Sequence, residues 1–269
     1  MKESVKRFTP PPALNIIKRS YDAWVRLPQV PDAYLHPWRR QSRSRLRAIQ
    51  NIHSGERCFI IGNGPSLKKT DLARLKGEYT FGLNRIYLLF PELGFSTTYY
   101  VAINDLVIEQ CAREIAGLSI PKFIAWHSNR HFQRLPEDLI FLYTTYTGMQ
   151  FAYDMTRRVW EGATVTNVAL QLAYYLGFRQ VILIGVDHNF ADKGKANETV
   201  VSQGDDLNHF STAYFGKGFR WQLPDLDTSE IGYTLARQAF QKAGREVLDA
   251  TVDGKLMVFP KVDYNTLFK

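Results

Sequence analysis

Three asparagines, Asn63, Asn84 and Asn104, each close an apolar run with strand character. An amide offers a donor and an acceptor without charge, which suits ribose hydroxyls, a base edge or phosphate oxygens. Asparagine is also an ordinary turn residue. What points to a ligand site is its repetition at one topological position. The first of the three lies in Gly62-Asn63-Gly64-Pro65-Ser66, between the run 58–61 and an expected helix over 67–75. A strand, glycine turn and helix can place backbone N–H groups and a helix N-terminus around a phosphate. Gly62 and Gly64 would permit positive φ and close backbone approach, while Ser66 could cap the helix and offer its hydroxyl. The turn lacks the third glycine of a dinucleotide fingerprint and the Gly-Lys-Ser/Thr of a P-loop. A tight turn without a ligand is the competing reading.

A second set of polar residues, Asp187-His188-Asn189, follows the apolar run 180–186. His209 lies in Asp205-Asp206-Leu207-Asn208-His209, in a polar stretch. A loop histidine beside acidic groups suits general-base work, and His188 competes for that role. His127 and His131 stand four apart, but nothing near them completes a metal site. Asp225-Leu226-Asp227 matches the loose Asp-x-Asp pattern of metal-dependent sugar transferases, although it follows Pro224 and not a strand. No residue is assigned as a metal ligand. Nucleophile-elbow and zinc patterns are absent.

These residues need elements to hold them. Apolar runs at 58–61, 79–83, 98–103, 122–126, 139–143, 180–186 and 246–250 read as strands, and 106–115, 164–176 and 229–243 as helices. Within 164–176, Val165, Val168, Ala169, Leu172 and Leu176 recur at helical spacing, and Gly177 stands where a C-terminal cap belongs. Alternating strands and helices predict an α/β, Rossmann-like three-layer sandwich with a mostly parallel sheet, whose ligands bind outside the carboxyl ends of the strands. Residues 51–269 would form this domain, with a lid-like polar loop near 191–228. Residues 1–50 would form a basic N-terminal extension.

The chain carries 34 Lys and Arg against 26 Asp and Glu, and the excess is confined to its start. Residues 1–50 hold eleven basic and three acidic side chains, a balance of +8, so the remainder holds 23 of each (34 − 11 and 26 − 3). A body without net charge argues against nucleic acid as a partner. In the extension, 13–26 could be helical, 27–38 carries three prolines and reads as extended, and 39–47 is densely basic. Such an arm can lie on an anionic membrane surface, pack on the domain or meet a second copy of the chain. Two cysteines, Cys58 and Cys111, make no disulfide framework. With no apolar run of spanning length and no signal peptide, the chain reads as cytoplasmic, with a peripheral place at the inner membrane face left open.

Cys58-Phe-Ile-Ile-Gly-Asn-Gly-Pro-Ser-Leu-Lys68, Phe81-Gly-Leu-Asn84 and Gly177-Phe-Arg-Gln-Val-Ile-Leu-Ile-Gly-Val-Asp187 resemble two related groups. One is the bacterial lipo-oligosaccharide sialyltransferase family, which uses CMP-sialic acid. The other is the family of the 6-hydroxymethylpterin diphosphokinases. The first resemblance implies that Asn63, Asn84 and Asn104 hold a cytidine nucleotide and that His209 deprotonates the acceptor hydroxyl. It also places Thr164 and Thr166 at the family's Thr-Ser-Gly contacts. His188 and Asn189 stand where tyrosines are expected, with Tyr214 as a substitute. The implied activity is an inverting transferase: a glycosyltransferase of polysaccharide or glycoconjugate synthesis, with a CMP-sugar donor and a glycan or lipid-linked acceptor. It requires no cofactor, and magnesium is left open. The second resemblance implies a magnesium-dependent diphosphokinase acting on a pterin-like molecule, with Asp105 and Asp187 as candidate ligands. A non-enzymatic nucleotide-binding assembly module is the third reading.

Overall fold

A computed structural model describes residues 20–191 and 194–268. Eight strands form one sheet: β1 (Arg57–Ile61), β2 (Tyr79–Leu83), β3 (Tyr99–Ala102), β4 (Lys122–Ala125), β5 (Leu139–Thr145), β6 (Arg158–Trp160), β7 (Gln180–Ile184) and β10 (Glu246–Asp249). Their order is β10-β7-β1-β2-β3-β4-β5-β6, and every neighbouring pair is parallel. Strands β3, β4 and β5 are buried at every residue. Successive side chains point to opposite faces, so unbroken burial means that both faces of the sheet are covered. The α/β expectation holds. Strand β6, only three residues long, is an addition to the seven strands expected.

The chain steps outward from β1 to β6, then returns to lay β7 on the other side of β1. That reversal opens a crevice at the carboxyl ends of β1 and β7, where doubly wound sheets bind their ligands. The glycine turn leaves β1 there, and Asp187 and His188 follow β7.

The principal helices are α1 (Val30–Leu35), α2 (Pro37–Ala48), α3 (Asp105–Gly117), α4 (Val165–Leu176) and α5 (Leu226–Lys242). Helix α4 is capped at both ends, the C-terminal cap as its sequence predicts. The Thr164 hydroxyl accepts from Thr166 N–H, and Gly177 closes the helix at φ 101°. The helix expected over 67–75 is replaced by two 3-10 turns, Pro65–Lys69 and Leu72–Leu75.

The N-terminal stretch differs from expectation. Residues 20–26 are helical, while 13–19 of the expected helix lie outside the described residues. Residues 27–38 are not extended: a 3-10 turn at Leu27–Gln29 runs into α1 and α2. Pro28, Pro31 and Pro37 each fall in a first helical turn, where the missing N–H costs nothing and the fixed φ favours the helix.

Helix α2 completes the sheet. Strand β6 pairs only with residues 143–145 of β5, so the first half of β5 has no strand on that side. Buried Arg39 donates to the Phe141 carbonyl, Ser42 Oγ accepts from Phe141 N–H at 2.9 Å, and Arg45 donates to the Leu139 carbonyl at 2.8 Å. These side chains satisfy groups that an open edge would leave unpaired. Part of the basic stretch is therefore structural.

Candidate functional site

A cavity of about 630 Å³ opens at the crevice. It is lined from β1 by Gly62, Asn63 and Gly64, from β2 by Asn84, from β3 by Asn104, and from β7 by Asp187, His188 and Asn189. Glu161, Thr164 and Thr166 enter from the β6–α4 connection, and His209, Trp221 and Gln222 from the segment between β7 and α5. Of the residues expected to bind the nucleotide, Ser66 and Tyr214 do not line it, and neither do Asp105, His127, His131 and Asp227.

The glycine turn is pinned to the end of β7. Gly62 N–H donates to the Ile184 carbonyl at 2.8 Å and Gly64 N–H to the Gly185 carbonyl at 2.9 Å. Ser66 gives its N–H to Asp187 Oδ1 at 3.1 Å and its hydroxyl to Asp187 Oδ2 at 2.7 Å. Neither Gly62 nor Gly64 has positive φ, and Ser66 caps no helix. What the glycines supply is close approach. A Cβ at Gly62 would collide with the Gly185 carbonyl, and one at Gly64 with the Asp187 carboxylate. The expected phosphate cradle is thus occupied by the protein itself, because the amides of residues 62, 64 and 66 are already bonded. Burial raises the pKa of Asp187, and its bonds from Ser66 oppose that shift.

The asparagines separate into two kinds. Asn104 caps α3: its Oδ1 accepts from Leu106 and Val107 N–H at 3.0 and 3.3 Å, and its Nδ2 donates to Gln222 at 3.1 Å. Asn63 and Asn84 keep buried Oδ1 atoms without a hydrogen-bond partner. Buried amide oxygens are normally paired, so these two are poised for donors that the protein does not supply. Asn84 (φ 48°), His188 (φ 53°) and Ala163 (φ 57°) are all left-handed and all line the cavity. For alanine and histidine this backbone is costly, and such strain gathers at functional sites.

The segment near 191–228 is more ordered than a polar lid. It forms the hairpin β8 (Thr199–Val201) and β9 (Arg220–Gln222), and buries Phe210, Tyr214, Phe215 and Trp221. These aromatics hold His209, which stacks on Tyr214 at 4.0 Å and meets Phe215 edge-on at 4.8 Å. His209 is largely buried, with its side chain 12% exposed. Its Nδ1 lies 2.7 Å from Asp206 Oδ2. Asp206 is fixed in turn by Asn208 and Phe215 N–H at 2.8 and 3.2 Å. Bonding Nδ1 to a fixed carboxylate leaves Nε2 as the nitrogen available to take a proton. Tyr214 supports this arrangement from behind, its hydroxyl accepting from Arg85 N–H at 3.2 Å.

A second pair faces the same cavity, with His188 Nε2 3.0 Å from Glu230. Asp225 caps α5 by accepting from Thr228 N–H at 3.0 Å, so the Asp-x-Asp match is accounted for by a helix start. Asp105 is engaged by Ser128, Arg130 and His131. Among the described residues, no group of three or more His, Cys, Asp or Glu is placed to hold a metal ion. Sequence reasoning missed Glu161, Trp221 and Gln222. Gln222 has only its place beside an aromatic to mark it, and a lone glutamate after a tryptophan carries no signal.

Residues 38–193 match the family model described as 6-hydroxymethylpterin diphosphokinase MptE-like. The chain belongs to this MptE-like family. The matched region contains the glycine turn, Asn84, Asn104, Glu161 and His188, and ends before His209. No curated protein matches the chain. Among solved structures, the MAf glycosyltransferase from Magnetospirillum magneticum AMB-1 is similar at 14% identity and a TM-score of 0.47. That likeness covers 85% of this chain and 39% of the other, so the chain spans well under half of that protein. At this level it bears on neither activity nor substrate. Both cysteines are free and buried, and among the described residues no helix is long and apolar enough to cross a membrane.

Proposed function

We propose that this MptE-like chain is a nucleotide-sugar-dependent glycosyltransferase with a CMP-type donor. The observation that carries this reading is the His209–Asp206 pair, 2.7 Å apart, at a cavity that also presents the unpaired amide oxygens of Asn63 and Asn84. A pyrimidine amino group or ribose hydroxyls supply the donors those oxygens lack. Thr164 and Thr166, at the α4 N-terminus, meet the phosphate. His209 Nε2 takes the proton of the acceptor hydroxyl as that oxygen attacks the anomeric carbon, and the bond to phosphate breaks with its electron pair leaving on the nucleotide. Attack from the face opposite the leaving group inverts the anomeric centre. Asp206 stabilises the resulting imidazolium. No metal is required in this scheme, because charge on the leaving phosphate is met by hydrogen-bond donors at the helix start.

The acceptor is a glycan or a lipid-linked glycan. Exposed Tyr21, Trp24, Leu27 and Leu35, followed along the chain by exposed Arg40 and Arg47, support a peripheral approach to an anionic membrane surface. The family description favours a second reading, a magnesium-dependent diphosphokinase. Against it, Asp105 and Asp187 are both engaged by protein groups. Thermal-shift measurements with CMP, UMP, GDP, and ATP with and without magnesium separate the two. Stabilisation by CMP supports glycosyl transfer, magnesium-dependent stabilisation by ATP supports the kinase, and no response to any nucleotide removes both.

A further inference from the structure

Glu161 has no role in the scheme above, yet it lines the cavity with a side chain only 4% exposed. Its Oε1 is buried without a hydrogen-bond partner. The ionisable side chain facing it from the β4–β5 connection is His127, whose Nδ1 is 3.7 Å away, too far for a hydrogen bond. His127 Nε2 lies 3.1 Å from the Ile103 carbonyl, so it must carry the hydrogen. Burial lowers the pKa of His127, which favours the neutral ring. Neutral His127 then turns the Nδ1 lone pair, not a donor, towards Glu161. Tyr146, beyond β5, faces the same region. Asp105 stands behind His127 and is already joined to Arg130 and His131. None of these groups is a free cation. Among the described lining residues there is likewise no Lys or Arg to pair with a carboxylate.

The Thr144 hydroxyl on β5 is the one neutral donor beside this carboxyl and opposes the rise in its pKa, yet Glu161 Oε1 is left without a hydrogen bond. Trp160 immediately before it is held by Asn167 and Gln171, which donate to its carbonyl at 3.1 and 2.9 Å. Gly162 and Ala163 immediately after it take left-handed backbone at φ 60° and 57°. A buried carboxyl with an unpaired oxygen and no cation beside it weakens the empty protein, and a ligand can supply the missing partner.

We propose that Glu161 is a specificity residue of this cavity, whose carboxyl hydrogen-bonds a hydroxyl or amide N–H of the glycosyl part of the donor. Asn63 and Asn84, on β1 and β2, serve the nucleotide, whereas Glu161 enters from β6 at the far edge of the strand order and meets the sugar. Burial raises its pKa to about 8, so at neutral pH it is a neutral acid able to donate and accept at once. This assignment rests on the glycosyl-transfer reading.

The test uses CMP and CMP-N-acetylneuraminic acid as calorimetric probes on the full chain, with Glu161→Gln, Glu161→Leu and a melting curve for each. The expected wild type binds the sugar nucleotide more tightly than CMP. Glu161→Gln, which keeps an acceptor and a donor, retains that advantage. Glu161→Leu loses about tenfold on the sugar nucleotide, keeps its CMP affinity, and melts at or above the wild-type temperature. A lower melting temperature with equal loss on both probes makes Glu161 a structural residue and overturns the proposal. Unchanged affinity for both probes in Glu161→Leu, or a wild type that binds the two equally, overturns it as well. Failure of the wild type to bind CMP at all overturns the functional reading together with this one.

Discussion

The backbone N–H of Phe210 donates to the carbonyl of Asn63 over 2.9 Å. This bond ties the residue after His209 to the middle of the glycine turn, so the candidate base is registered against the candidate nucleotide site by main chain. Two further bonds extend the attachment, Arg85 N–H to the Tyr214 hydroxyl and Asn104 Nδ2 to Gln222. The segment between β7 and α5 is thereby fastened to the ends of β1, β2 and β3.

Removing the base separates binding from chemistry. His209→Ala lowers transfer by about 10²- to 10⁴-fold while CMP affinity stays near the wild-type value. Asp206→Asn, which leaves the ring in place but weakens its orientation, lowers transfer by a smaller factor. Initial-rate assays with parallel calorimetry check both, and an active His209→Ala would move the base elsewhere, with His188 next in line.

The glycine turn tolerates no side chain. Gly64→Ala places a methyl group on the Asp187 carboxylate and breaks its bonds with Ser66, for a loss of about 1–3 kcal/mol in denaturant unfolding. Gly204→Ala is the control for space alone: no atom lies within 4 Å of its added Cβ, and its backbone is not left-handed. The greater loss is expected at Gly64.

Arg39 and Arg40 are adjacent and opposite in role. Arg39→Ala leaves the Ala33 and Phe141 carbonyls without their donor and opens the unpaired half of β5, costing about 2–4 kcal/mol. Exposed Arg40→Ala changes stability by about 0.5 kcal/mol or less. Chemical denaturation of the two variants reads the difference directly.

Glu161 also sets a pH dependence. Its carboxyl has the ordinary value of 4.5 when the chain is unfolded, and burial raises this to about 8 in the fold, with the Thr144 hydroxyl opposing the rise. The native state therefore holds more protons between those values, and stability falls as pH rises from about 4.5 to about 8. Glu161→Gln removes that part of the slope, and melting curves between pH 5 and 9 record it.

How far the sequence carried can be judged from particular residues. Long, fully buried strands such as Leu139–Thr145 were legible because covering a sheet on both faces demands continuous apolar runs. Arg158–Trp160 was not, since three residues give no period. The prolines of 27–38 concealed helices because proline suits a first turn as well as an extended segment. That Asn63, Asn84 and His209 meet at one cavity was legible from type and position. The capping role of Asn104 was not, because the same placement after a strand serves a ligand or a helix start. The buried aromatics around His209 were masked by the polar residues between them, and Glu161 stands out only through its burial in the cavity, which elements remote in sequence create.

The central claim, that the crevice between β1 and β7 binds a CMP-type nucleotide beside His209, is tested most directly by a crystal structure with CMP. The nucleotide is expected inside the cavity, with its donor groups on Asn63 Oδ1 and Asn84 Oδ1 and the phosphate directed to the Thr164–Thr166 helix start. CMP bound away from these residues, or a cavity that stays empty at saturating CMP, would contradict it.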